Sequence, residues 1–179
     1  MLKHAVSTLC AIFVALPVVD AVAGTDSERR IGDVLSYALP AATLGVELWR
    51  GDFTGAGQFG RSFVVTLAAS EVFKRTAGVE RPDRSNDQSF PSGHAARAFA
   101  AATYVHRRHG FESAWPLYAL ATYVGHTRVQ TDRHRWADVV GAAGISAVST
   151  WLLVDPERTG AGIAVTKKGI FVGWNVPLR

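Results

Sequence analysis

Five stretches of this chain, 31–49, 60–75, 93–107, 112–126 and 136–154, place apolar residues at helical spacing. In the second, Phe63, Val64, Leu67, Ala68 and Val72 recur at steps of three and four and lay one apolar stripe along a helix. Such stripes are stable only when they face one another, so the pattern predicts an all-α helical bundle of about five to six helices. At 179 residues there is material for one well-filled core and not for two.

The two ends have a different character. Lys3 followed by the uncharged run Ala5 to Val19, with Ala21-Val22-Ala23 behind it, has the form of an export signal cleaved after residue 23. The alternative is a first membrane helix; the run is shorter than the roughly 18 apolar residues a span needs, and Asp20 interrupts it. Cys10 is the only cysteine and lies in this leader, so the mature domain is expected to hold no disulfide and no cysteine-ligated metal. Beyond Asp155, Ile163 and Val165, then Ile170, Val172, Trp174 and Val176, alternate around Thr166-Lys167-Lys168-Gly169, which suggests a short C-terminal β-hairpin. These shifts divide the chain into a leader at 1–23, a helical domain at 24–156 and a tail or hairpin at 157–179.

Composition is 48% hydrophobic and 19% charged, apolar for a soluble protein and poor for one with many membrane spans. Arg97 interrupts the third segment, Pro40 and Glu47 lie in the first, and Glu71 and Lys74 close the second. Only Val139 to Val154 runs sixteen residues without charge, about 24 Å of helix against a hydrocarbon core of about 30 Å. The expected location is therefore the periplasm, as a soluble or surface-associated bundle. The alternative is embedding in the inner membrane with the site facing the periplasm. A net charge of +4 suggests anionic partners such as phosphate groups or an acidic membrane surface. No dense basic run supports nucleic-acid binding.

Residues 78–93, GVERPDRSNDQSFPSG, are rich in Pro, Gly, Asp, Asn and Ser and are expected to form a loop. Residues 51–60, GDFTGAGQFG, are read as a second, glycine-rich connector; without Lys and Ser/Thr at phosphate-loop spacing it is not a nucleotide-binding loop.

Chemistry concentrates where loops meet helices. Lys74 ends one helix, and Arg81-Pro82 follows it. Ser92 is placed to cap the helix beginning near Gly93, which leaves the Gly93 and His94 N–H groups to meet an anion at the positive end of the helix dipole. Arg128 precedes His134 by six residues, and Asp138 follows it by four. A helix starting near His134 would put imidazole and carboxylate on one face. A carboxylate accepting Nδ1–H would then leave Nε2 with a free lone pair, as a nucleophilic or basic histidine requires. Taken singly, these are also a solvated helix end, an ordinary cap and a surface pair. Together they supply charge for a phosphate and two proton carriers for its ester.

Lys74 with Arg81-Pro82, Pro91-Ser92-Gly93-His94, and Arg128 with His134 and Asp138 have the spacing K-x6-R-P, P-S-G-H and R-x5-H-x3-D. This closely resembles the three-part signature of the type 2 phosphatidic acid phosphatase and vanadium haloperoxidase superfamily. The resemblance implies a phosphatase in which His134 attacks phosphorus to form a phosphohistidine and Asp138 orients it. It implies that His94 protonates the leaving oxygen and later assists the hydrolytic water, while Lys74, Arg81, Ser92, Gly93 and Arg128 hold the phosphate oxygens. No metal or other cofactor is implied, and vanadate is the expected inhibitor. Thr127 stands where the family usually has serine and keeps the hydroxyl; Arg135-Trp136 after His134 is less usual, and Arg135 is expected to face solvent.

His126, Asp132 and His134, or His106 with His109, invite a metal reading, but no three fall at tight zinc spacing. His106 and His109 are read as cations suited to a helix C-terminus. The implied substrate is a phosphorylated lipid or pyrophosphate. The alternatives are a small soluble phosphoester, haloperoxidase chemistry, or phosphate binding without turnover in the cell envelope.

Overall fold

The computed structural model describes residues 25–156, 160–166 and 169–175. The leader at 1–23, with its export-signal or membrane-helix reading, lies outside the described residues. The helical unit, Gly24–Pro156, consists of α1 (Thr25–Trp49), α2 (Phe53–Ala77), α3 (Gly93–His109), α4 (Phe111–Gln130) and α5 (Trp136–Leu153). Contacts at the helix ends set their directions: Asp33 near the start of α1 meets His94 at the start of α3 and Arg128 near the end of α4, Lys74 near the end of α2 stands over Gly93, and Ser92 bonds Asp138 at the start of α5. The N-terminal ends of α1, α3 and α5 therefore share one end of the bundle with the C-terminal ends of α2 and α4.

Local signals explain most boundaries. The Asp52 Oδ1 accepts the Gly55 N–H at 2.8 Å and starts α2, and Gly78 ends it in the left-handed region at φ 58°. Ser92 caps α3, accepting from the Ala95 N–H at 3.5 Å. The segment between α2 and α3 is irregular, as expected, apart from an isolated bridge between Val79 and Gln88. The connector expected at 51–60 is a correction: from Phe53 onward it is helix. Gly51 makes the turn before α2, in the left-handed region at φ 72°, while Gly55 serves close packing within the helix. A Cβ on Gly55 would stand 2.7 Å from the Arg108 Nε and 2.8 Å from the Tyr104 hydroxyl.

Helix α3 runs through the middle and packs on α1, α2, α4 and α5. Its buried surface is mostly methyl-sized, with Ala95, Ala96, Ala98, Ala100, Ala101 and Ala102, which lets neighbouring backbones approach closely. The larger core side chains cluster at its far end, where Phe59, Tyr104 and Val154 meet Phe63 and Val105.

The interior is also unusually polar. Ser36, Thr43, Glu47, Gln58, Ser62, Thr66, Thr103, Ser146 and Thr150 are all buried. Thr103 and Thr150 bond at 2.9 Å, and the Ser146 hydroxyl donates to the Ala142 carbonyl at 2.8 Å. Large apolar side chains lie outside instead. Between Arg30 and Arg50 the exposed positions of α1 are Val34, Tyr37, Ala41, Leu44, Gly45, Leu48 and Trp49. On α5 they are Trp136, Ala137, Val140, Gly144, Val148, Trp151 and Leu152.

Beyond the helical unit, β1 (Gly160–Thr166) and β2 (Gly169–Asn175) form a two-stranded antiparallel ribbon with Ile163 opposite Val172.

Candidate active site

The three motif segments come together at one end of the bundle. One backbone hydrogen bond joins the second and third, from the Ser92 N–H to the Asp138 carbonyl at 3.1 Å, and within the third the His134 N–H donates to the Arg128 carbonyl at 3.2 Å. Gly93 opens α3 beneath Lys74. A Cβ at Gly93 would stand 3.0 Å from the Lys74 Nζ, so glycine leaves room for the ammonium at the helix mouth. A Cβ at Gly141 would stand 2.2 Å from the Phe90 ring, so a second glycine lets α5 close on the loop that carries the tetrad.

His134 is 3% exposed and lies in the turn before α5, whose N-cap is Arg135 in extended conformation. This corrects the expectation of a helix starting at His134: the pair does not meet along a helix face. Asp138 is the third residue of α5, and its Oδ2 reaches back to accept the Arg135 N–H at 2.8 Å, as acids in a first helical turn commonly do. That places Oδ2 3.4 Å from the His134 Nδ1, within ion-pair range but longer than a formed hydrogen bond. Burial, then the positive charges of Arg81 and Lys74, hold the His134 imidazole down at about 4, against the opposing pull of Asp138. At neutral pH the ring is therefore uncharged.

Arg81 bonds the Asn86 side chain at 2.9 Å and reaches the Arg133 carbonyl at 3.4 Å, which holds it beside the third motif. Arg128 is buried on α4; its Nη1 donates to the Asp33 Oδ1 at 2.7 Å and its Nη2 to the Arg29 carbonyl at 2.7 Å. The His94 Nε2 lies 2.9 Å from that same Asp33 oxygen. His94 and His134 face one region: His94 lies within electrostatic reach of His134, and Lys74, whose charge acts on His134, stands over Gly93 beside His94. Lys74, Arg81, Ser92, Gly93, His94, Arg128, His134 and Asp138 are thus brought together.

Three further residues belong here that sequence spacing did not reveal. Asp33 comes from α1, with no motif to mark it. Ser89 is buried and donates its hydroxyl to the Asp138 Oδ2 at 2.5 Å; its position just before the tetrad was the available signal. Arg97, one turn into α3, lies over the Tyr37 ring at 4.4 Å, and its buried Nε has no hydrogen-bond partner among the described residues.

Other expectations resolve differently. Arg135 is exposed, and its Nη1 donates to the Glu80 carbonyl at 2.6 Å, which ties the loop to the start of α5. His106 and His109 are not simple helix-end charges: His106 bonds the Tyr118 hydroxyl at 3.1 Å and His109 meets the buried Glu47 at 2.6 Å. Among the described residues no group of three or more His, Cys, Asp or Glu converges as a metal-ligand set.

The chain is 35% identical over 104 residues to a lipid A 1-phosphatase of Porphyromonas gingivalis, covering 53% of this chain and 23% of that protein. It is 36% identical over 117 residues to a lipid A 4'-phosphatase of Helicobacter pylori, covering 59% of each. The matches thus span less than two thirds of either relative. A crystal structure of a transmembrane PAP2-type phosphatidylglycerolphosphate phosphatase from Bacillus subtilis aligns over 84% of this chain and 92% of its own, with 20% identity and a TM-score of 0.44. The PAP2 superfamily model matches residues 55–156, more than half of the 179 and all three motif segments, and the chain belongs to that superfamily.

Proposed function

We propose that this protein is a phosphatase acting on a phosphate ester or pyrophosphate of a membrane lipid, through a phosphohistidine intermediate. The observation that carries this reading is the gathering of an uncharged, buried His134 and of His94 around one seat walled by Lys74, Arg81, Arg128 and the N-terminus of α3. Phosphoryl transfer needs little more from a protein than positioning and charge aimed at the equatorial oxygens.

In this mechanism the cations and the α3 mouth hold the phosphate. The His134 Nε2 lone pair forms the P–N bond as the P–O bond to the leaving group breaks, and His94, protonated in the complex because the bound phosphate's negative charge stabilises its cationic form, delivers that proton to the departing oxygen. The imidazole becomes positively charged on phosphorylation, and Asp138, 3.4 Å from Nδ1, stabilises that charge. Ser89 and the Arg135 N–H hold the carboxylate in place. His94, now neutral, takes a proton from the water that attacks phosphorus, which releases phosphate and restores His134. Lys74, Arg81 and Arg128 supply the charge a divalent metal would otherwise contribute.

Two lines support a lipid substrate. The curated relatives are named for phosphatases of lipid A, a phosphorylated glycolipid, and so a phosphorylated glycolipid is the first substrate to test. The exterior of the bundle fits a lipid environment better than the soluble or surface-bound placement expected from composition. From Val34 to Trp49 the exposed positions of α1 are all uncharged, about 24 Å of helix against a hydrocarbon core of about 30 Å. Helix α5 is apolar and long enough to cross a membrane. Exposed Trp49, Phe53, Phe111, Trp115 and Trp151 lie at helix ends opposite the site, as in an interfacial aromatic belt. We place the helical unit in the membrane with its site at one surface; periplasmic exposure follows from the export reading of residues 1–23.

The test is release of phosphate from a lipid monophosphate, in detergent micelles with excess chelator, by the purified protein. Activity lost on His134→Ala supports the proposal. Absence of turnover, or turnover that needs an added divalent metal, overturns it.

A further inference from the structure

Asp33 is the one carboxylate that reaches into the phosphate seat from α1, and it does so with a single oxygen. Its Oδ1 accepts from the Arg128 Nη1 at 2.7 Å and lies 2.9 Å from the His94 Nε2. An anionic oxygen between a guanidinium and an imidazole has the chemistry the substrate phosphate presents to those same two groups. We propose that Asp33 is a positioning residue that stands in for the phosphate in the empty enzyme: it holds Arg128 and His94 in their working orientations and yields Arg128 when the phosphate arrives. The inference rests on the phosphatase reading above.

Two observations support a displaceable carboxylate over a permanent structural ion pair. The first is an asymmetry of exposure. The Arg128 side chain is 4% exposed while that of Asp33 is 41% exposed, so the carboxylate can turn toward water while the guanidinium stays. Arg128 also keeps a second anchor, the Arg29 carbonyl, that does not depend on Asp33. The second is the approach of α1 itself. A Cβ at the neighbouring Gly32 would stand 2.1 Å from the Thr127 Oγ1 and 2.8 Å from the Arg128 Nη2. Only glycine lets α1 come near enough for Asp33 to reach the arginine.

The consequence is a competition. An anion entering the seat must displace Asp33 from Arg128, so its apparent affinity is lowered by the fraction of molecules in which the arginine is free. Asp33→Asn removes the competing charge and keeps the shape. The experiment measures inhibition of lipid-phosphate hydrolysis by inorganic phosphate and by orthovanadate, with kcat and KM, in the wild type, Asp33→Asn and Asp33→Glu.

The expected result is that Asp33→Asn binds both inhibitors about tenfold more tightly or better, as when a seat free in one molecule of ten becomes always free. Its kcat falls, because His94 loses its orienting acceptor, so kcat and KM drop together. Asp33→Glu, which keeps the charge, returns both toward the wild type. A merely structural role for Asp33 would weaken inhibitor binding and would not strengthen it. If Asp33→Asn does not fold, Asp33→Ser, which also removes the charge, reads the same competition. Unchanged or weaker inhibitor binding in the folded uncharged variant overturns the inference and leaves the phosphatase reading intact. A wild type that neither turns over lipid phosphate nor binds these anions overturns both.

Discussion

Asp138 meets His134 across the N-cap of α5, its Oδ2 3.4 Å from the imidazole Nδ1 and its other contacts drawn from the Arg135 N–H and the Ser89 hydroxyl. The spacing of four residues is that of a helical pair, yet the histidine is not in the helix. The carboxylate does two things at once: it satisfies the first turn of α5 and it faces the base of the site. The orientation of the histidine therefore depends on how α5 begins, and on the loop that supplies Ser89.

Ser89→Ala removes a hydrogen bond to a buried carboxylate, a contact of about 1.5–3 kcal/mol. The expected outcome is a fall in kcat of about tenfold or more with KM nearly unchanged, because the phosphate seat keeps its cations. Steady-state kinetics on a lipid phosphate check this; a rise in KM at constant kcat would place Ser89 in substrate binding instead.

His134→Ala is expected to lower kcat by at least about 10⁴-fold and to abolish the base-stable, acid-labile phosphoenzyme. His94→Ala is expected to lose about 10²–10⁴-fold on an alkyl ester. It should lose far less on an aryl ester, whose leaving oxygen needs no proton. Rapid-quench labelling with radioactive phosphate separates the two roles.

The pH dependence follows from the uncharged state of His134. With its imidazole held down at about 4, the acidic limb of kcat/KM is expected near pH 4 instead of near the ordinary histidine value of 6.5. Arg81→Ala removes a positive neighbour, so the limb should move to higher pH. Stability carries the same sign. Between about 4 and 6.5 the unfolded chain binds a proton at this residue that the folded chain does not, so stability is full above 6.5 and is lost as pH falls through that window. Denaturation midpoints between pH 4 and 7 measure it.

Gly141→Ala places a methyl where the Phe90 ring now lies, at 2.2 Å. Overpacking of this kind costs about 1–3 kcal/mol. The displaced ring belongs to the residue before the tetrad, so a lowered melting temperature is expected together with lower kcat.

Val140→Lys puts a charge on the exposed apolar face of α5, where the native side chain is 67% exposed. In a lipid-embedded bundle this costs up to about 2.5–3.5 kcal/mol, the value for a charge at mid-membrane, and flotation with liposomes should fall. In a soluble bundle the same change would be neutral within about 0.5 kcal/mol, so an unaltered, water-soluble variant would reject the embedding.

The helices were legible because apolar spacing is a local property: α3 starts at Gly93 as Ser92 and the small residues after it indicate, and α2 ends close to Lys74. Legible too were the residues of the seat, because a phosphate site recruits lysine, arginine and histidine at helix ends and those types stand out along the chain. Segment 51–60 misled because glycine permits a turn, as at Gly51, and equally permits close packing, as at Gly55, and only the position of Tyr104 and Arg108 shows the second use. The apolar exterior was hidden for a related reason: composition counts side chains without saying which way they face, and here Ser, Thr and Glu47 point inward while Trp, Phe and Val point out. Sequence alone determined the elements and the chemical inventory. The tertiary structure alone decided that Asp33, about a hundred residues before His134 and outside every motif, shares one oxygen between Arg128 and His94. A contact between residues so far apart in sequence depends on how the helices pack, and no local pattern encodes it.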